Sequence, residues 1–212
     1  MTKTKIFKSI SHFWQYFTSL NEREKAKYVT KTKIFKFISH FWEMYTDNRL
    51  NKNMLIREIE DNDADLRVIT DIYNSNKKFL IHHLGHDRVE REFVIHEIKE
   101  MKEHGFCSTM IESDGRVIGV IDYMMQADKT VYLSLIMLDK TMQSNGTGTR
   151  VYRLFEEKMV SEGAKIIRID VVNDHTPNVI PFWEKMGFVG QYEDSLTWGD
   201  KTSNVLVMKK VL

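Results

Sequence analysis

The sequence predicts an α/β domain, a mixed β-sheet flanked by helices, behind an N-terminal duplicated amphipathic helical extension. Three observations predict it. Residues 54–212 parse into the order β-α-α-β-β-β-α-β-α-β-β, with hairpin links early and helical crossovers late, which is the pattern of a sheet mixing antiparallel and parallel strands. The chain has 212 residues, 42% of them hydrophobic, enough for one core of ordinary size plus an extension. Charge divides along the same line: residues 1–53 carry 11 Lys/Arg against 4 Asp/Glu, and residues 54–212 carry 20 against 26, so the two segments differ physically.

The extension comes first. Residues 2–18 and 30–46 are identical at thirteen of seventeen positions, an internal duplication at an offset of 28. In each copy the apolar residues (Ile6, Phe7, Ile10, Phe13, Trp14, Phe17 and Ile34, Phe35, Ile38, Phe41, Trp42, Tyr45) fall on one side of a helix. Three readings stay open for residues 1–53: helices packed on protein, basic amphipathic helices on an anionic membrane surface or in a partner's groove, or an unstructured extension. Two copies do not make a solenoid.

From Met54 onward the elements follow in order. Leu55 to Glu60 alternates as a half-buried strand does. Asp61-Asn-Asp offers helix caps before Leu66, Ile69, Ile72 and Tyr73 at helical spacing. A second helix is expected from Asp87 to about His104, closed by Gly105. Phe106 to Glu112 and Arg116 to Met124 read as strands around a tight Ser113-Asp-Gly turn. Thr130 to Leu138 is the next strand. A glycine-bearing loop and a helix to about Glu162 follow, then a strand from Ala164 to Val172, a short helix from Pro177 to Met186, and strands over Phe188 to Thr197 and Val205 to Val211.

Composition narrows the function classes. A net charge of +1 gives no basic footprint for nucleic acid. No apolar run reaches the roughly 18–20 residues that span a bilayer, and polar residues with no small-residue cleavage site spoil a signal peptide, so a cytoplasmic protein is expected. The single cysteine, Cys107, excludes an intrachain disulfide; it reads as a buried small hydrophobe at a strand start rather than a catalytic thiol. His82, His83 and His86 cluster beside Asp87, but without a fourth ligand they read as a solvated turn between helices. His96-Glu97 opens like a zinc-protease motif, yet Glu100 stands where the second His is needed. No metal site is expected.

The chemistry concentrates in the loop Asp139 to Arg150. Gly146 and Gly148 let backbone N–H groups approach an anion, and the start of the next helix offers uncapped N–H groups and a positive dipole end. A pyrophosphate suits such a site, with hydroxyls from Thr147 and Thr149 and charge from Arg150. The loop lacks the third glycine of a dinucleotide fingerprint and the Gly-Lys-Ser/Thr of a nucleotide hydrolase.

Gln143-x-x-Gly146-x-Gly148 at a strand-to-helix junction, followed by Phe182-Trp-Glu-Lys-Met-Gly-Phe188, resembles the Gcn5-related N-acetyltransferase family over about residues 54–212. The resemblance implies the acyl-CoA N-acyltransferase fold and acetyl-CoA as co-substrate. It gives backbone groups of Ile136, Met137 and Leu138 to the pantetheine arm, and Gln143, Ser144, Asn145, Gly146, Thr147, Gly148 and Thr149 to the pyrophosphate. Asn173 and Trp183 would also touch the cofactor. Asn173 lies ten residues before Trp183 where the family pattern has seven, which implies an insertion holding His175 and Pro177.

Two catalytic places depart from the family pattern. Trp183 stands where a tyrosine acid is usual, and indole N–H is no useful acid; Ser134 stands where a glutamate base is usual. Catalysis then rests on Asp122, Tyr132, Ser134 or Tyr123 anchoring a water chain, with Asp122 first because a carboxylate draws an ammonium and accepts its proton. A structural reading of Asp122 is a solvated strand residue. Met124, Met125 and Met142 are packing residues or the lining of an apolar acceptor pocket. Carboxylates on the helix holding Glu97 and Glu100 would favour a cationic acceptor. The implied activity is acetyl transfer to a primary amine by direct attack, against a catalytically weak cofactor-binding module as the competing class. The resemblance leaves a homodimer through the last strands open.

Overall fold

The computed structural model describes residues 54–60, 62–143, 146–176, 178–198 and 201–212. The duplicated segment, with its packing, membrane and partner readings, lies outside the described residues, as do Ser144 and Asn145. Strands β1 (Met54–Glu58), β2 (Cys107–Ser113), β3 (Arg116–Met125), β4 (Thr130–Leu138), β5 (Ile166–Val172), β6 (Val189–Trp198) and β7 (Lys201–Val211) form one seven-stranded sheet in the order β1-β2-β3-β4-β5-β7-β6. Every neighbouring pair is antiparallel except β4 and β5. The expected mixed sheet with helical faces is the fold observed.

Helices α1 (Asp63–Ser75), α2 (Lys77–Leu84) and α3 (Arg91–Glu103) cover one face; α4 (Thr147–Ser161) and α5 (Ile180–Lys185) cover the other. Asn62 caps α1 by accepting from the Asp65 N–H at 2.9 Å. The α1 stripe Leu66, Ile69, Ile72 and Tyr73 is buried, as its spacing predicts. On the other face Val151, Phe155 and Met159 of α4 are fully buried against Ile121, Ile167 and Met208 of the sheet. Each such side chain contributes roughly 1.5–3 kcal/mol.

Several local expectations are corrected. The segment around His82 and His83 is a helix, α2, not a solvated turn; Gly85 ends it in the left-handed conformation at φ 81°. The next helix starts at Arg91 rather than Asp87. The Asn74 carboxamide holds Val89 from both sides, accepting from its N–H at 2.9 Å and donating to its carbonyl at 3.0 Å, which pins Val89 outside the helix. Helix α5 starts at Ile180, not Pro177, because Asn178 accepts from the Ile180 N–H and Pro181 favours a first-turn position. Cys107 is exposed rather than buried. Asp114 and Gly115 both take positive φ, so the Ser113-Asp-Gly hairpin turns as expected. No helix among the described residues is long and apolar enough to cross a membrane.

Two β-bulges position the site. One on β3 leaves Ile118 as an extra residue between the pairs Ile111–Gly119 and Glu112–Val117. A side chain at Gly119 would lie 2.6 Å from the Met137 carbonyl oxygen, so only glycine lets β4 approach here. The second makes Ser134 the extra residue of β4 between the pairs Tyr123–Leu133 and Asp122–Leu135.

Candidate active site

The cofactor side is built from an interrupted ladder. β4 and β5 pair only through Thr130–Ile166, Val131–Ile167 and Tyr132–Arg168; beyond them β4 has no strand on that side. The Asp139 N–H donates to the Ile118 carbonyl at 2.8 Å. Alternation along an antiparallel ladder then turns the peptide groups of Met137 toward β3 and those of Ile136 and Leu138 toward the gap. Of the three residues expected along a pantetheine arm, Met137 therefore spends its peptide groups on the sheet. The Leu138 carbonyl accepts from the side-chain amides of Asn76 at 2.9 Å and Gln143 at 3.0 Å. Ile136 keeps both peptide groups toward the opening.

At the mouth of this gap a short 3₁₀ turn, Lys140–Met142, is capped by Asp139 and leads into the glycine loop. Gly146 is the N-cap of α4 at φ 76°, with nothing among the described residues within 4 Å of where a Cβ would stand. The N–H groups of Gly148 and Thr149 lie in the first turn, where a helix has no intrahelical acceptor for them. Arg150 reaches Thr147 Oγ1 at 3.2 Å through one amino group, while its buried Nε has no hydrogen-bond partner. A helix N-terminus, an open glycine and an unsatisfied guanidinium nitrogen fit an anionic diphosphate. Gln143 has a second role: its amide ties the loop to Asn76, a buried residue between α1 and α2.

Asn173 stands at the end of β5, its N–H donating to the Asn204 carbonyl at 3.0 Å. Trp183 is 8% exposed and enclosed by Tyr152, Phe182 and Phe188, with ring centroids 5.0–5.5 Å apart. The structure gives it to the core beneath α4. Met124, Met125 and Met142 do not line the cleft either; Met125 and Met142 pack on the same core as Trp183.

On the opposite face of the sheet lies a cleft of about 260 Å³. Asp122, Tyr132 and Ser134 all border it, and the bulge explains why they share it. Before the bulge even-numbered residues of β4 face α1–α3; after it Leu135 and Met137 do, and Ser134 is left exposed at the junction. Asp122, expected to be solvated as its structural reading, is buried at 8% exposure. Burial pushes its carboxyl up to about 6; the hydrogen bond with Ser108 opposes this, and the Glu97 charge adds to it. Tyr132 is hydrogen-bonded to Asp170, and burial lifts its phenol well above the usual range. Asp170 is itself held by Arg168 through two bonds of 2.9 Å.

Of the remaining walls, the sequence pointed only to the helix that carries Glu97. Glu97 of α3 borders the cleft and accepts from the Trp198 indole N–H at 2.9 Å across 101 residues of chain. Glu100, grouped with it in the sequence, is exposed, lies 3.8 Å from His96 and does not line the cleft. Tyr73, Phe79, Phe106 and Trp198 supply aromatic surface, with Phe79 edge-on to Trp198 at 5.8 Å and Phe106 to Tyr132 at 5.9 Å. His83 stacks on Phe79 at 3.8 Å, and burial lowers its basicity. Phe79 and His83 stand four apart, a spacing that becomes a stacked pair only because the segment is the helix α2. Among the described residues no group of three or more His, Cys, Asp or Glu is placed to hold a metal.

Comparison with known proteins agrees with this geometry. The acetyltransferase (GNAT) family matches residues 67–188. The chain belongs to that family. An uncharacterized Bacillus subtilis protein, YxbD, is 24% identical over 110 residues, which is 52% of this chain; the chain spans 64% of that relative's length. Among solved structures, a Salmonella typhimurium acetyltransferase that modifies the N-terminal serine of ribosomal protein L7/L12 superposes with a TM-score of 0.61 at 14% identity, covering 77% of this chain and 97% of its own. A Vibrio cholerae spermidine N-acetyltransferase, solved with CoA and spermine, gives 0.58 at 17% identity, covering 76% and 96%. At such identities these structures establish the shared fold.

Proposed function

We propose that this protein transfers the acetyl group of acetyl-CoA to a primary amine by direct attack, with Asp122 taking the amine's proton. One observation carries the reading: the cleft that holds Asp122 meets the β4–β5 gap at the Ser134 bulge, so an acceptor in the cleft reaches a thioester lying in the gap. Acetyl-CoA supplies the activated acyl group. The chain's own residues do the rest. The gap-facing peptide groups of Ile136 and the N-terminus of α4 with Arg150 bind and orient the two ends of the cofactor. Asp122, ionised above about pH 6, attracts the ammonium and accepts one proton, directly or through a water held by Ser134; the amine then bonds to the acyl carbon, the C–S bond breaks, and the second nitrogen proton goes to the departing thiolate. Positioning of this kind supplies about 7–11 kcal/mol of the barrier, so neither the usual tyrosine nor the usual glutamate is required. Every residue assigned a role falls within 54–212.

Thiol release from acetyl-CoA against a panel of amines tests the reading, alongside calorimetry of CoA binding. Turnover that saturates in both substrates is the expected result. Tight CoA binding with no thiol release from any amine would instead describe a cofactor-holding module.

A further inference from the structure

The lining of the acceptor cleft is one-sided in charge. Glu97, Asp122 and Asp170 border it, and no lysine or arginine does among the described residues. Arg168, the cation nearest Asp170 in the hydrogen-bond network, is committed to it by two bonds and stacks over the Tyr132 ring at 5.4 Å. His83 is disfavoured as a cation by its burial. Among the described lining only neutral hydroxyls such as those of Ser134 and Thr197 could meet an anion, and none brings a compensating charge. An acceptor carrying a carboxylate or phosphate would bury that group beside Glu97 and Asp122 without a partner, a like-charge arrangement costing far more than it returns. The rest of the lining is aromatic and aliphatic: Tyr73, Phe79, Phe106 and Trp198, with Ile98 and Met101. The volume, about 260 Å³, lies below the roughly 300–1,000 Å³ of pockets for drug-sized ligands.

Resting on the acetyltransferase reading above, we infer that the acceptor is a compact primary amine with an apolar, ring-sized body and no anionic group. Its ammonium is drawn to Asp122 and Glu97, and its body lies against the rings of Phe79, Phe106 and Trp198. With no cation among the described lining residues, free amino acids and acidic acceptors fit poorly. An extended polyamine outruns a cleft of about 260 Å³, so its second ammonium would lie along the aromatic walls rather than beside Asp122 and Glu97.

The decisive comparison is 2-phenylethylamine against phenylalanine, which differ by one carboxylate, with spermidine and an alanyl peptide as further probes. At pH 7.5 the expected kcat/KM is at least tenfold higher for 2-phenylethylamine than for any of the other three. Glu97→Gln keeps an oxygen for the Trp198 indole and removes only the charge. It is expected to raise KM for 2-phenylethylamine several-fold with a smaller change in kcat, and to narrow the gap to phenylalanine. Equal or better turnover of phenylalanine, spermidine or the peptide would overturn this inference while upholding acetyl transfer. An unchanged KM in Glu97→Gln would also overturn the role of charge. Absence of thiol release with all four amines and with a wider panel, in protein that binds CoA, would remove the acetyltransferase reading and this inference together.

Discussion

Asp122 is held at 8% exposure, hydrogen-bonded to Ser108 and repelled by Glu97. Its carboxyl is raised from the ordinary 3.8 to about 6, so the folded protein takes up a proton more readily than the unfolded chain. The stability tied to this group is therefore full below about pH 4 and is lost as pH rises through 6. Replacing it by asparagine, which leaves an oxygen for Ser108, has opposite effects on fold and function. Activity is expected to fall about 10²–10⁴-fold. Thermal melts at pH 8 are expected to show a more stable protein, by about 2–3 kcal/mol, with the gain shrinking toward pH 4. In the parent protein kcat/KM should climb with pH through about 6, provided the acceptor's own titration is corrected for; a profile flat between pH 5 and 7 would remove Asp122 from the proton transfer.

At the scale of elements, the cofactor loop is fastened to the acceptor wall. Asn76, between α1 and α2, donates to the Leu138 carbonyl and accepts from Gln143, while Ser75 accepts from the Lys140 N–H at 3.0 Å. The helices that carry Tyr73 and Phe79 therefore set where the loop begins. Asn76→Ala removes both bonds and lies outside the residues expected to touch the cofactor. Losing about 1 kcal/mol of hydrogen bonding predicts a CoA dissociation constant raised about 3–10-fold, read by calorimetry. Gly146→Val tests the loop itself. A β-branched side chain at φ 76° strains the N-cap by roughly 1–2 kcal/mol and fills space left open for the anion. CoA affinity should drop at least tenfold, and retention of parental affinity would exclude this helix start as the diphosphate site. The elements themselves were largely legible, since hydrophobic period and turn residues are local signals. α2 was not, because only eight residues long it shows no sustained stripe. The Ser134 bulge was not, because register is a property of two strands together.

Across the whole molecule, Arg57 of β1 binds both Asp65 of α1 and Glu112 of β2, joining strand, helix and hairpin. The Arg57 guanidinium holds the Asp65 carboxyl below the usual carboxylate range, against the effect of its burial. A carboxyl lowered on folding stabilises the protein above about pH 4 and ceases to do so as pH falls through its folded value. Arg57→Ala is expected to cost about 2–3 kcal/mol at pH 7 by denaturant titration, with the difference from the parent narrowing as the pH is lowered below 4. An equal deficit at pH 7 and pH 2.5 would assign the loss to packing of the arginine stem instead.

The sequence by itself determined the mixed sheet, its helices, the glycine loop at a strand-to-helix junction and the family. These rest on periodicity and on motifs whose residues lie within one turn or one crossover of each other. Only the tertiary structure decided that Trp183 is core, that Asp122 is buried, and that Glu97 and Trp198 meet across 101 residues to wall an anionic, aromatic cleft. Burial and charge environment are set by what other segments bring to a side chain, and no spacing along the chain encodes which segments those will be.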